Sequence, residues 1–66
     1  MCKFKAERLI KETLTKVNCR FISSEIEDGL LVVRFISVRG NYQKAIFPYR
    51  YMSECEIENK VMESVF

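Results

Sequence analysis

The fold depends on one stretch, Leu-Leu-Val-Val-Arg-Phe-Ile-Ser-Val, which runs from Leu30 to Val38. Aliphatic, β-branched and aromatic side chains occupy both alternating sets of positions in this stretch. A strand with one face in water would alternate apolar and polar residues. We therefore predict that residues 30–38 form the central strand of a small sheet, with both faces covered by other parts of the protein or by another chain.

Turn signals and further apolar runs lie on both sides of this central strand. Asp28-Gly29 precedes it and predicts a two-residue hairpin turn, because both residues tolerate a positive φ. Gly40-Asn41 follows it and predicts a second turn of the same length. The flanking strands are predicted from Cys19 to Glu27 and from Tyr42 to Phe47. Pro48 has no backbone N–H to donate, which indicates that the third strand lies at an edge or ends there.

A helix is predicted at each end of the chain. Apolar residues recur every three or four positions over residues 3–17, with charged residues on the opposite side. Ser53 and Glu56 form a capping-box pattern, which predicts that a second helix begins there and runs close to the end. The sequence thus predicts a single α+β domain over residues 1–66: helix, three-stranded antiparallel meander, helix, with the helices packed mainly on one sheet face.

The composition limits what can stabilise so small a domain. The chain has 66 residues, and its three cysteines (Cys2, Cys19 and Cys55) are widely spaced, with no histidine present. Disulfide frameworks and zinc sites ordinarily need more of these residues. No signal peptide or membrane span is evident. We expect reduced cysteines in a cytoplasmic protein, with a second subunit as the remaining support for a small core.

No motif for catalysis, a cofactor or a metal stands out. Without histidine, the commonest general base is missing. Gly29 and Gly40 fall in hairpin turns rather than in a phosphate-binding loop. Cys19 and Cys55 have no neighbouring base in a recognisable motif and fit small buried apolar residues. We therefore predict a non-enzymatic protein without a cofactor, a metal or a small-molecule substrate.

Counting outward from two-residue turns predicts which side chains share a sheet face. The count places both helices over the face with Ile22, Ile26, Leu31, Val33, Phe35 and Ile46. The second face remains too apolar for water, so we expect it to bind a copy of the chain or another protein. The alternative is that one helix covers each face. The predicted interface residues are Phe21, Val32, Arg34, Ile36, Phe47 and Tyr49.

These observations favour a protein-interaction module, such as a regulator, inhibitor or accessory subunit, of the kind that compact phage or bacterial genomes encode. We expect it to be a homodimer, to bind another protein, or both.

Nucleic-acid binding through residues 34–51 is the alternative function. Basic and aromatic residues alternate there, and such residues contact phosphates and stack on bases. The order of elements resembles that of the double-stranded-RNA-binding domain, but that family presents lysines where this second helix begins with Ser53-Glu54-Cys55-Glu56. A contact through the sheet face or hairpin tip therefore stays open. The candidate residues are Arg34, Arg39, Lys44 and Arg50.

Overall fold

The computed structural model describes residues 1–65, which form two helices and one three-stranded sheet. The elements are α1 (Lys3–Lys16), β1 (Arg20–Glu27), β2 (Leu30–Ile36), β3 (Tyr42–Phe47), a 3-10 turn (Tyr49–Tyr51) and α2 (Glu54–Val65). The strands form an antiparallel meander with β2 in the centre. This arrangement confirms the predicted α+β order, and β3 is an edge strand that ends before Pro48, as predicted.

The chain leaves α1 through a left-handed residue, Asn18, whose φ is 60°. The Asn18 N–H donates to the Thr15 carbonyl at 3.1 Å, and the Cys19 N–H donates to the Leu14 carbonyl at 2.9 Å. These two bonds are those of a Schellman motif, which satisfies carbonyls at the helix end. They also bury Cys19 against the core, whereas Cys55, also predicted to be buried, is exposed.

The first hairpin has the predicted turn but contains an irregularity further along β1. Asp28 and Gly29 have φ values of 52° and 76°, and Ile26 pairs with Leu31 as expected. A β-bulge then falls between Phe21 and Ser23. Phe21 consequently pairs with Phe35, where the count from the turn had placed Ile22, so that part of the predicted register is wrong. A bulge adds a residue to one strand and moves the side chains beyond it to the opposite face.

The second hairpin closes earlier than predicted, and β2 ends at Ile36 rather than at Val38. The Ser37 N–H donates to the Asn41 carbonyl at 2.8 Å, and the Gly40 N–H donates to the Ser37 carbonyl at 2.8 Å. The Asn41 N–H also donates to the Ser37 hydroxyl at 3.3 Å. Residues 38–40 therefore form a three-residue loop with Gly40 at a φ of 85°, a common alternative to the two-residue turn.

This loop changes which side chains of β3 face the helices. Phe35 pairs with Gln43 and Val33 with Ala45, whereas the sequence count had paired Phe35 with Ile46 and Ile36 with Ala45. The pairing differs by three residues, an odd number, so every side chain of β3 changes face. The predicted faces of β3 are therefore wrong.

One sheet face, which we call the core face, packs against both helices. Its central residues are Leu31, Val33 and Phe35 of β2, joined by Ala45 and Phe47 of β3. The helices and the segment after β3 contribute Ala6, Ile10, Leu14, Tyr49, Ile57 and Val61 to the same buried cluster. The packing confirms that the helices lie mainly on one face, and it rejects the alternative of one helix on each face.

The helices are fixed at their first turns by polar contacts. The predicted capping box is confirmed: the Glu56 N–H donates to the Ser53 hydroxyl at 3.2 Å, and the Ser53 N–H donates to the Glu56 carboxylate at 3.1 Å. Lys5 Nζ lies 2.8 Å from Glu54 Oε1 and so joins α1 to α2.

Lys5 also lowers the pKa of Glu54 below its ordinary value of 4.5. The pKa of Glu7 is also below its ordinary value. The main cause is a hydrogen bond with the Ser24 side chain; burial opposes the shift, and Lys11 adds to it.

Stability is therefore expected to decrease when the pH falls below the ordinary carboxyl pKa of 4.5. A carboxyl group with a lowered pKa in the folded state contributes its full stabilisation above that pH, and the contribution is lost as the pH falls through the folded pKa. Urea denaturation between about pH 3 and pH 7 measures this dependence. Replacing both Glu7 and Glu54 with glutamine should flatten the curve, and an unchanged slope in that double variant would contradict this assignment.

Candidate interaction surface

The sheet face opposite the helices, which we call the outer face, is not covered by any of residues 1–65. The side chains of the outer face form four rows that run across the strands. Each row consists of residues that pair with one another on neighbouring strands. In order along the sheet, the rows are Glu27–Leu30, Glu25–Val32–Ile46, Ser23–Arg34–Lys44 and Arg20–Ile36–Tyr42.

The centre of the outer face is apolar. Val32 is buried although it lies outside the core cluster, and its cross-strand neighbours are Glu25 and Ile46. Leu30 and Ile36 of the same strand are half-buried. On β3, Ile46 is 43% exposed and Tyr42 is 61% exposed. Exposed apolar groups that adjoin one another in this way are typical of an interaction site.

Charged residues interrupt this apolar surface at Arg34 and Lys44 in the third row and follow β1 along its edge. Arg34 Nη1 lies 2.5 Å from Glu25 Oε1, across the β1–β2 pair. This hydrogen bond raises the pKa of Arg34 above its already high ordinary value, so the guanidinium stays charged and turned towards β1. Lys44 of β3 pairs with Arg34 from the other side. Along β1 the outer face therefore changes from acidic at Glu27 and Glu25 to basic at Arg20, while Lys44 is the cation on β3.

The structure divides the six predicted interface residues between the two faces. Val32, Arg34 and Ile36 lie on the outer face. The other three belong to the core side: Phe47 and Tyr49 are buried in the core cluster, and Phe21 packs against it. The count from two-residue turns missed Tyr42 and Ile46. Tyr42 lies opposite Ile36, where the count had placed Ala45, and Ile46 lies opposite Val32, where the count had placed Tyr49.

The four residues predicted for nucleic-acid contact do not form one patch. Arg34 and Lys44 are adjacent on the outer face, and Arg39 lies in the loop that precedes β3. Arg50 lies in the 3-10 turn beyond the other end of β3, where its guanidinium carbon is 5.9 Å from the centre of the Tyr49 ring. The basic groups that a single ligand could contact are thus Arg34, Lys44 and Arg39.

The rest of the described chain holds few other candidate sites. Within residues 1–65, no three cysteine or acidic side chains lie close enough together to hold a metal ion. In the same range, no helix is both long enough and apolar enough to span a bilayer. The three cysteines are free, and Cys2 and Cys55 are exposed.

Comparisons with protein-family models, with curated protein sequences and with solved structures found no significant match for this chain.

Proposed function

We propose that the chain is a small non-enzymatic interaction module, such as a regulator, inhibitor or accessory subunit, and that the outer face is its binding surface. The observation that carries this proposal is the position of both helices on the core face. They leave Leu30, Val32, Ile36 and Ile46 on a face that none of residues 1–65 covers.

The outer face has the composition of a protein-binding site. Tyr42 and Ile46 can act as anchors, because they already project from the sheet and bury apolar area when a partner approaches. Arg34 is held in position by Glu25, so its guanidinium loses less freedom on binding than an unpaired arginine would. Apolar burial then supplies affinity, and the charged residues of the outer face select the partner.

Replacing Ile46 with glutamate is expected to abolish binding through the outer face while leaving the chain folded, because this side chain points away from the core. Met62→Glu on α2 is a matched control, since Met62 is 40% exposed and Ile46 is 43% exposed. Immobilised wild type and both variants would be incubated with a lysate of the cells that express the chain, and captured proteins would be quantified by mass spectrometry.

The expected result is that the proteins captured by wild type and by Met62→Glu are lost with Ile46→Glu. Circular dichroism should show that all three chains are folded. Equal capture by all three chains would contradict the proposal, as would the absence of both a captured protein and self-association.

Nucleic-acid binding is a second candidate because Tyr42, Lys44 and Arg39 follow one another along β3 and its preceding loop. An aromatic side chain beside two cations can stack on a base while the cations contact phosphates. Arg39→Glu combined with Lys44→Glu is expected to weaken binding to fluorescent single-stranded DNA or RNA at least about tenfold. The double variant Lys3→Glu/Lys16→Glu on α1 makes the same change in net charge and serves as the control. Equal loss in both double variants, or no affinity of wild type at low salt, would remove this candidate.

A further inference from the structure

We infer that the occupant of the outer face is a second copy of this chain, turned end for end, so that the two copies form a symmetric dimer. This inference deepens the proposed function and rests on it, because it identifies the partner for the same surface. It is argued from the order of side chains along the four rows of the outer face.

The outer face is complementary to itself when one copy is rotated about an axis that crosses the strands between the second and third rows. This rotation exchanges the first row with the fourth. Leu30 then faces Ile36 of the second copy, and apolar groups meet at both ends of the interface. On the β1 side, Glu27 faces Arg20 of the second copy, and the symmetry forms this oppositely charged pair twice.

The middle rows are compatible with the same rotation. Val32 lies over the aliphatic part of Arg34 of the second copy, and Ile46 lies over the aliphatic stem of Lys44. Each Arg34 keeps its own Glu25 as its ion-pair partner. Stacked sheets cross at about 30° and lie about 10 Å apart, so long side chains at the rim can still reach each other.

The charges oppose the other face-to-face arrangement. Rotation about an axis along β2 would instead place each row over the same row of the second copy. Arg34 would then face Arg34 of the second copy, and Val32 would face Val32. Like charges opposed in a partly desolvated interface are unfavourable. Charge complementarity therefore selects the end-for-end arrangement.

Arg20 and Glu27 are available for contacts between copies. Both residues are exposed. Within residues 1–65, the ion pairs are Lys5–Glu54, Arg8–Glu12, Lys11–Glu7 and Arg34–Glu25, and they include neither residue. Changing either charge should therefore alter association without breaking a contact that stabilises the described fold.

The size of the outer face sets the expected strength of the dimer. Seven residues of β2 extend over roughly 23 Å, and three strands span roughly 15 Å. Such a surface buries less than a standard protein interface and belongs with weak, reversible contacts. We therefore expect the dimer to dissociate on dilution in the micromolar range rather than to persist as an obligate assembly.

Reversing one charge at a time tests this arrangement by sedimentation velocity over a concentration series. Arg20→Glu and Glu27→Arg are each expected to weaken self-association at least about tenfold, because each places like charges together at both ends of the interface. An equimolar mixture of the two variants should restore a dimer, since every Arg20–Glu27 contact then joins opposite charges again. Lys16→Glu on α1 is the control and should dimerise like the wild type.

The outcomes separate this inference from the proposed function. A wild type that stays monomeric up to millimolar concentration overturns the dimer, while the proposed function survives if Ile46 still governs capture of another protein. If Ile46→Lys disrupts the dimer but neither charge reversal weakens it, the end-for-end arrangement is overturned. A mixture that fails to restore association also overturns it. A dimer that is insensitive to Ile46→Lys, which sets a cation against Lys44 of the second copy, overturns the self-interface on the outer face.

Discussion

Replacing Phe47 with alanine is expected to lower the free energy of unfolding by about 3–5 kcal/mol. Phe47 is 1% exposed and lies in the core cluster with Leu31, its cross-strand partner. Truncation removes a large buried ring and leaves a cavity that the surrounding side chains fill only in part. A domain of this length has a total stability of about 3–10 kcal/mol, so much of the Phe47→Ala population should be unfolded.

The neighbouring residue supplies the control, because it faces the other way. Ile46→Ala is expected to cost about 1 kcal/mol or less in the monomer, since Ile46 lies on the outer face and is already partly exposed. Urea denaturation followed by circular dichroism measures both variants. The two-residue turn assumed from the sequence would place Ile46 in the core and Phe47 outside, so a larger loss for Ile46→Ala would contradict the observed register.

Replacing Ile57 with alanine should cost about 2–5 kcal/mol. Ile57 is fully buried and belongs to the same cluster as Ile10 of α1 and Val33 of β2. Truncation therefore weakens the packing of α2 against both the first helix and the sheet. Alanine is a better helix former than isoleucine, so the expected loss comes from packing rather than from the helix itself.

Met62→Ala on the same helix is the matched control and should change stability by no more than about 0.5 kcal/mol, because Met62 is on the solvent side. Denaturant titration of the two variants under the same conditions provides the comparison. Similar small effects for both would show that α2 does not pack on the core face.

Elements with a local chemical signal were predicted well from the sequence. Ser53 with Glu56 starts α2 through the reciprocal cap that the sequence pattern predicts. Asp28-Gly29 forms the expected tight turn. In each case the residues that determine the structure are within a few positions of one another, so the pattern can be recognised without knowledge of the tertiary fold.

The register of β3 could not be obtained in this way because two turn lengths suit the same residues. Gly40 serves as the first residue of a two-residue turn or as the left-handed third residue of a three-residue loop. Ser37 decides in favour of the longer loop, since its backbone and hydroxyl bond to Asn41 and Gly40. Its position within an apolar run suggested a continuing strand instead, and the resulting odd-numbered error reversed the faces of β3.

The candidate surface was consequently predicted only in its central strand. Val32, Arg34 and Ile36 share a face because β2 alternates regularly, whatever the lengths of the flanking turns. Phe47 was assigned to that face through the turn count and therefore fell on the wrong side. The bulge in β1 has no evident local signal in the sequence, which explains the misplacement of Phe21 and Ile22.

Both helices cover the core face and leave the outer face open in the monomer, and the proposed binding surface depends on this arrangement. Methyl NMR of a dilute, monomeric sample, with a soluble paramagnetic relaxation agent added, tests it most directly. We expect the methyl groups of Ile46 to relax strongly, while those of Ile10 and Ile57 remain protected. Protection of Ile46 equal to that of Ile57 in the monomer would place part of the chain over the outer face and would contradict this arrangement.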